Sequence, residues 1–417
     1  MSSKKELFSV LNIREFRLFA LARLFITIAS QIQSVIVGWQ IFKITGDPLS
    51  LGLIGLAEAI PFIIVSLYAG HIADIINRKR IILITVTGML VCSLLLTLVS
   101  IGIDHGYNST TLVFIYLIIL LSGVARGFFS PANFAFMPQL IDRDLYPQAI
   151  SWSSTAWQTG AVTGPAVSGL IYALVGFRNT YLIVCALTLL SLILYSMIAS
   201  RPVPPANTEQ SMGEKIREGL KFVFRNQVIL GALSLDLFAV LFGGAVALLP
   251  IFARDILMVG AEGLGFLLAA PAIGAILMAL FLAYQPIKHN AGKKLLWSVA
   301  GFGLCMIAFA ISKNFILSFS LLVLSGIFDS VSVIVRSTLI HTLTPENMKG
   351  RVSAVNSIFI GSSNEIGAFE SGLAAKLMRT IPSVIFGGCM TILVVSITAA
   401  KAKQLLNLSL HPKQKHD

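Results

Sequence analysis

Asp329 and Arg336 carry full charges inside LLVLSGIFDSVSVIVRSTLIH, the stretch from Leu321 to His341, which is long and apolar enough to cross a bilayer as one helix. Seven residues apart on a helix, they stand about two turns or ~10 Å from each other along one face. That spacing lets both line one cavity but is too wide for a direct bond. Arg23, Arg126 and Asp236 lie in similar apolar runs, and Glu58, three residues before Pro61, and Glu365, next to Asn364, add two more acids. A bare ion at the bilayer centre costs about 3 kcal/mol or more, so each must find a partner, a proton or water. Aspartates that alternate between an arginine-paired and a protonated form couple proton flow to a change of shape, and that is the chemistry these residue types support. For Arg23, near the end of its run, snorkelling to the interface is the competing role. Arg23, Thr27, Ser30 and Ser34 follow helical spacing, a polar stripe suited to facing water.

No bond-making chemistry accompanies these charges. The sequence offers neither a nucleophile with an oriented base nor a phosphate-binding loop, so no catalytic residue, no enzyme activity and no cofactor are expected. Cys92, Cys185, Cys305 and Cys389 each fall in a different apolar run and read as small buried hydrophobes. The six histidines are scattered without ligand spacing, so no metal site is expected.

The chain that must position the charges has 417 residues, 56% of them hydrophobic and 12% charged, with a mean hydropathy of +0.85. Such a composition indicates a polytopic membrane protein rather than two or three soluble domains. Twelve runs reach the ~20 residues that a bilayer core requires, the fifth from Ile150 to Val175, the sixth from Thr180 to Ala199 and the seventh from Val228 to Ala253. A formal charge of +12 would suit a nucleic-acid binder, but the basic residues are placed otherwise. Arg78, Lys79 and Arg80 after the second run, Lys215, Arg217, Lys221 and Arg225 after the sixth, and Lys401 and Lys403 after the last put most of the 31 Lys and Arg on one side of the membrane. This asymmetry follows the positive-inside rule, places both termini in the cytoplasm and leaves nucleic acid unnecessary as a partner. The first apolar run continues to full span length, so no cleavable signal is expected.

The runs are duplicated. Arg126 falls 203 residues before Asp329, and the same shift places Gly164 on Gly367 and Gly169 on Gly372. In the early spans the shift is 213, placing Arg23 on Asp236 and Leu51 on Leu264. Each arginine of the first half therefore meets an aspartate at its equivalent position in the second. The expected domains are an N-terminal six-helix bundle over residues 1–200, a linker over 201–226, and a C-terminal bundle with its tail over 227–417. In the linker RPVPPANTEQ ends a helix, and the basic amphipathic segment GEKIREGLKFVFRNQ suits the anionic headgroup region.

Two motifs lie at the edges of this frame. The end of the second run reads Gly70-His71-Ile72-Ala73-Asp74-Ile75-Ile76-Asn77-Arg78-Lys79-Arg80, where a carboxylate at a helix end beside a cluster of cations can act as a latch. The fifth run carries Gly160-Ala161-Val162-Thr163-Gly164-Pro165-Ala166-Val167-Ser168-Gly169. Small residues four apart permit close helix approach, and proline weakens the backbone locally, so the segment suits a helix that bends, with plain close packing as the alternative.

These motifs resemble those of the major facilitator superfamily: the loop signature G-x-x-x-D-x-x-G-R-[RK], with Asn77 for the second glycine, and the antiporter motif G-x-x-x-G-P-x-x-G-G, with Ser168 for one glycine. LFALARLFITIAS near the start, and TPENMKGR at Thr344 to Arg351 followed by VSAVNSIFIGSSNEIGAFESG, are similar to the bacterial branch that contains the enterobactin exporter, the drug:H+ antiporter-3 type. The resemblance implies an all-α membrane protein with twelve transmembrane helices in two pseudosymmetric six-helix bundles. These are related by an axis along the membrane normal, with a binding site between them lined by the first, fourth, seventh and tenth spans. It also implies a gating loop of Gly70, Asp74, Arg78 and Lys79, and a helix-packing segment of Gly160, Gly164, Pro165 and Gly169. The expected function is secondary active transport, with proton-coupled export of a siderophore, drug or similar amphiphile across the bacterial inner membrane. Its partners would be that small molecule, protons and the lipid bilayer, and the protein would act as a monomer. Uptake or lysophospholipid flipping by the same architecture, and a non-transporting receptor or scaffold, are the competing functions.

Overall fold

The computed structural model describes residues 9–101, 109–202, 212–243, 245–285, 290–345, 348–402 and 406, and every regular element among them is helical. Helices are what an apolar chain of this length must form in lipid, because each backbone donor and acceptor has to be satisfied within its own segment. In chain order they are α1 (Arg14–Thr45), α2 (Pro48–Ile75), α3 (Arg78–Ile101), α4 (Ser109–Phe136), α5 (Tyr146–Ser196), the amphipathic α6 (Met212–Arg225), α7 (Gln227–Phe242), α8 (Gly260–Tyr284), α9 (Ala291–Ile311), α10 (Phe315–Leu343), α11 (Lys349–Met378) and α12 (Thr380–Lys401). Ten described segments are long and apolar enough to cross a membrane. Because α5 turns at Gly176 (φ 73°), a conformation open to glycine, its two arms count as the fifth and sixth spans. With α11, which is 30 residues long but more polar, the total is twelve.

The seventh span departs from the continuous helix expected over Val228 to Ala253. Asn226 starts α7 firmly, its Oδ1 accepting the backbone N–H groups of Val228 and Ile229 at 3.1 Å each. The helix then stops at Phe242, and the chain continues as a 3-10 segment (Ala245–Leu248), a short turn (Leu249–Ile251) and a π turn (Phe252–Ile256). Two poor helix formers stand together in the Gly-Gly pair of the sequence at 243–244, and the break falls at Gly243, ahead of Pro250.

The chain divides into two compact units, one of Met1–Gly46 and Leu56–Thr208, the other of Asp47–Gly55 and Glu209–Asp417. The first turns of α2 thus belong to the second unit, where Lys376 Nζ lies 2.9 Å from Asp47 Oδ2. So does α6, whose Val223 packs in one buried cluster with Val352 and Val355 of α11. The first unit has a core built on Phe16, Phe19, Ile82, Phe136 and Tyr195. Three buried hydroxyls inside it are paired: Tyr195 donates to Asn133 Oδ1 at 2.8 Å, Ser191 to the Ala22 carbonyl at 2.8 Å, and Tyr181 to Gln40 Oε1 at 2.5 Å, whereas Trp39 Nε1 and Gln40 Nε2 are buried with no hydrogen-bond partner among the described residues. Cys92, Cys185 and Cys305 are buried free thiols, whereas Cys389, expected to be buried, is exposed on α12 because it faces away from the helices that α12 packs on.

Within each unit the duplication appears as the same helix crossings. A Cβ on Gly164 would lie 3.1 Å from the Ile28 carbonyl oxygen of α1, and one on Gly367 would lie 3.0 Å from the Leu241 carbonyl oxygen of α7. A Cβ on Gly123 of α4 would overlap the Glu58 carbonyl, and one on Gly326 of α10 the Pro271 carbonyl. One turn along, a Cβ on Gly127 would meet the Phe62 carbonyl at 3.2 Å, where the equivalent Ser330 donates to the Ala275 carbonyl at 3.3 Å. Each pair obeys the shifts of 203 and 213 residues, so what was duplicated is a set of close backbone approaches.

Candidate transport site

The charges inside the spans sit where helices meet. In the first unit, Arg23 of α1 donates from Nη1 to Ser153 Oγ of α5, and Arg126 of α4 forms an ion pair with Glu58 of α2. In the second, Asp236 of α7 is paired with Arg336 of α10, their side chains only 10% and 4% exposed. Leu235 and Ala239 on α7 and Val335 and Leu339 on α10 belong to the apolar cluster that surrounds this pair. Its guanidinium is not fully satisfied, since Nε is buried with no hydrogen-bond partner among the described residues. Asp329, two turns from Arg336 on the same helix, has no ion-pair or hydrogen-bond partner among the described residues; the cation nearest to it in sequence is committed to Asp236. The Glu365 side chain lies outside the described residues.

Two cavities adjoin Asp329. One, of about 480 Å³, is lined by Asp329, Ser325, Gly326, Asn364, Pro271, Phe302 and apolar residues of α7, α8, α10 and the 3-10 segment after Gly243. The break in α7 shapes it, because Gly243, Val246 and Ala247 form part of its wall. The other, of about 20 Å³, brings Asp236 and Asp329 together with Ser298, Ser332, Phe302 and Phe328, with room for about one water. Both acids thus reach one water-sized pocket inside an apolar unit, an arrangement that can hold, release and pass a proton without any bond-making group.

The loop between α2 and α3 is fastened to helix ends. Arg78 Nη1 donates to the Ala135 carbonyl near the end of α4 at 3.0 Å, and Lys79 Nζ donates to the Ser196 carbonyl at the end of α5 at 2.8 Å. Asn77 Nδ2 donates to Ser200 Oγ at 2.9 Å and to the Arg201 carbonyl at 2.8 Å. Cations at the carbonyl ends of helices satisfy orphan acceptors and oppose the helix dipole. The side chain of Asp74 and the surroundings of Gly70 lie outside the described residues.

The glycines of the fifth span face α1. A Cβ on Gly160 would sit 2.8 Å from Thr27 Cβ, and one on Gly164 2.5 Å from Gln31 Cβ. Thr27, expected on a water-facing stripe, is therefore in a tight helix seam, and its hydroxyl donates to the Arg23 carbonyl at 2.7 Å. Ser168 Oγ donates to the Pro165 carbonyl at 2.7 Å within the same helix, and Gly169 is buried beside it. Gly164→Leu forces this seam apart and is expected to cost about 1–3 kcal/mol or more. It should lower the thermal unfolding midpoint of the purified protein well below that of Gly164→Ala.

Sequence reasoning missed Ser153, Phe302 and Pro271. A signal for the last was available: Pro271 is 213 residues after Glu58, so the position that holds an acid in one unit holds a proline in the other.

The profile of the Major Facilitator Superfamily matches residues 19–400. The chain belongs to that superfamily. Relatives of this major facilitator protein include the enterobactin exporter EntS of Shigella boydii serotype 18 (strain CDC 3083-94 / BS512), 26% identical over 373 residues, which are 89% of this chain and 88% of that one. EntS of Escherichia coli O1:K1 / APEC gives the same identity and coverage. Among solved structures, a bacterial homolog of the human lysosomal transporter Spinster, in an inward-facing and unoccupied conformation, matches with a TM-score of 0.71 at 13% identity, covering 94% of this chain and 95% of that one. A POT family transporter in complex with 5-aminolevulinic acid matches with a TM-score of 0.72 at 11% identity over 94% and 96%. Likeness at such low identity shows the shared fold alone; it is membership of the superfamily over residues 19–400 that makes the chain a multi-pass membrane transporter.

Proposed function

We propose that this transporter exports a small organic molecule, a siderophore, drug or similar amphiphile, from the bacterial cytoplasm across the inner membrane in exchange for protons, by alternating access. It acts as a monomer with both termini in the cytoplasm, and the loop of Gly70, Asp74, Arg78 and Lys79 serves as its gate. The observation that carries the reading is Asp329: an acid without a partner of its own among the described residues, in an apolar cavity, one water-sized pocket away from the Asp236–Arg336 pair. Uncompensated, its charge costs about 3 kcal/mol or more in such surroundings, and uptake of a proton removes that cost. A site whose energy changes this much on protonation is one that a proton gradient can drive. Arg126 with Glu58, and Arg23 with Ser153, hold fixed charge in the first unit and leave the exchangeable acid in the second.

Flux in proteoliposomes under an imposed pH gradient, with a panel of siderophores, lipophilic drugs and lysolipids, tests the proposal. One class should move against its own gradient and stop when a protonophore is added. Lysolipid movement that ignores the gradient would instead identify a flippase, and no flux under any gradient a receptor or scaffold.

A further inference from the structure

We propose that the cavity of about 480 Å³ within the second unit binds an amphipathic organic cation, with Asp329 as its counter-ion. The inference rests on the transport function above and names its substrate class.

The ground for it is the duplication. At the crossing of α2 and α4, Glu58 and Arg126 form an ion pair. At the equivalent crossing of α8 and α10, Asp329 takes the place of Arg126 and Pro271 that of Glu58. The backbone approach is kept, since Gly123 lies over the Glu58 carbonyl as Gly326 lies over that of Pro271. The second unit therefore preserves the crossing that supports a salt bridge but supplies only one ion, reversed in sign, and sets opposite it a residue that cannot carry charge. Both Asp329 and Pro271 face the cavity. Arg336, the other cation of α10, is bound to Asp236, so the charge of Asp329 has no balancing partner among the described residues of the unit. A ligand cation supplies one, while an anion of the same size meets repulsion in a medium of low dielectric.

The remaining walls describe the body of that ligand. The volume falls within the range of about 300–1,000 Å³ usual for drug-sized molecules. Val246, Ala272, Met306 and Leu322 make the lining apolar, and Phe302 adds an aromatic face of the kind that attracts organic cations. Polar capacity is small: the Ser325 hydroxyl already donates to the Leu322 carbonyl at 2.7 Å, which leaves Asn364 beside Asp329. One positive charge on a bulky apolar body with few hydrogen-bonding groups fits this inventory.

The test is equilibrium dialysis of the full-length protein in detergent micelles against tetraphenylphosphonium and tetraphenylborate, which share a shape and differ in sign. Tetraphenylphosphonium should bind at one saturable site and tetraphenylborate should not. Asp329→Asn should weaken the cation by about tenfold or more, and Asp329→Glu should hold it within a few-fold. Ala272→Trp, which fills the cavity and leaves the carboxylate, should also abolish binding, so the proposal remains testable if Asp329→Asn misfolds. Equal binding of the two probes, or cation binding unchanged in Asp329→Asn or Ala272→Trp, overturns it. Should the cation fail to bind while another compound still moves under a proton gradient, only the substrate class falls. Should the cation bind while nothing moves under any gradient, the site stands and the transport function falls.

Discussion

Replacing Arg336 with Met is expected to destabilise the protein by about 3–5 kcal/mol, because it leaves the Asp236 carboxylate buried without its counter-ion. The double replacement Arg336→Met with Asp236→Leu should recover most of that loss. Both side chains of the pair are almost fully buried, so its energetics are governed by the desolvation of each ion and by their mutual attraction. Removing one ion forfeits the attraction and keeps the other's desolvation cost, whereas removing both gives up the attraction and the two costs together. Thermal unfolding of the single and double variants in detergent, followed by tryptophan fluorescence and size exclusion, reads the coupling. A double variant as unstable as Arg336→Met alone would show that the two charges do not act as a unit. The exposed Arg254–Asp255 pair provides the scale, since its side chains are 36% and 44% exposed, and Arg254→Ala should change stability by no more than about 1 kcal/mol.

Asp329→Asn should behave in the opposite way: a well-folded, correctly inserted protein whose gradient-driven flux falls to the level of protein-free liposomes. Asparagine has the same shape, and no protein group loses a partner, because Asp329 has none among the described residues. Removing an uncompensated charge from an apolar cavity should leave the unfolding midpoint unchanged or higher. Transport is different, since an amide cannot take up and release a proton. Unchanged pH-driven flux in this variant would remove Asp329 from coupling and leave the Asp236–Arg336 pair as the proton carrier. Asp329→Glu, which keeps an exchangeable proton, should retain measurable flux and so separates loss of the carboxylate from loss of packing.

The contrast between these two aspartates was only partly legible in the sequence. Both are acids in apolar runs, each opposite an arginine in the repeat, and linear spacing treats them alike. Spacing also rules out a bond between Asp329 and Arg336, yet it gives no means of choosing Asp236, one hundred residues away, as the partner of Arg336. Thr27 shows the same limit. Its helical register with Arg23 and Ser34 marks a polar stripe, but which neighbour covers that stripe depends on Gly160 of α5.

While the superfamily rested on the resemblance of its motifs, the sequence by itself determined the all-helical membrane fold, the number of its spans and their duplication. These depend on run length, hydropathy and repeated small residues, all properties of a one-dimensional string read against a bilayer of fixed thickness. Only the tertiary structure decided that Glu58 holds Arg126, that Arg336 holds Asp236, that α7 stops at Gly243, and that Asp329 faces a cavity with no counter-ion of its own among the described residues. The physical reason is range: hydrophobic partitioning acts on each segment separately, whereas an ion pair forms only where two helices cross within a few ångströms, and the crossings are fixed by packing among segments far apart in the chain.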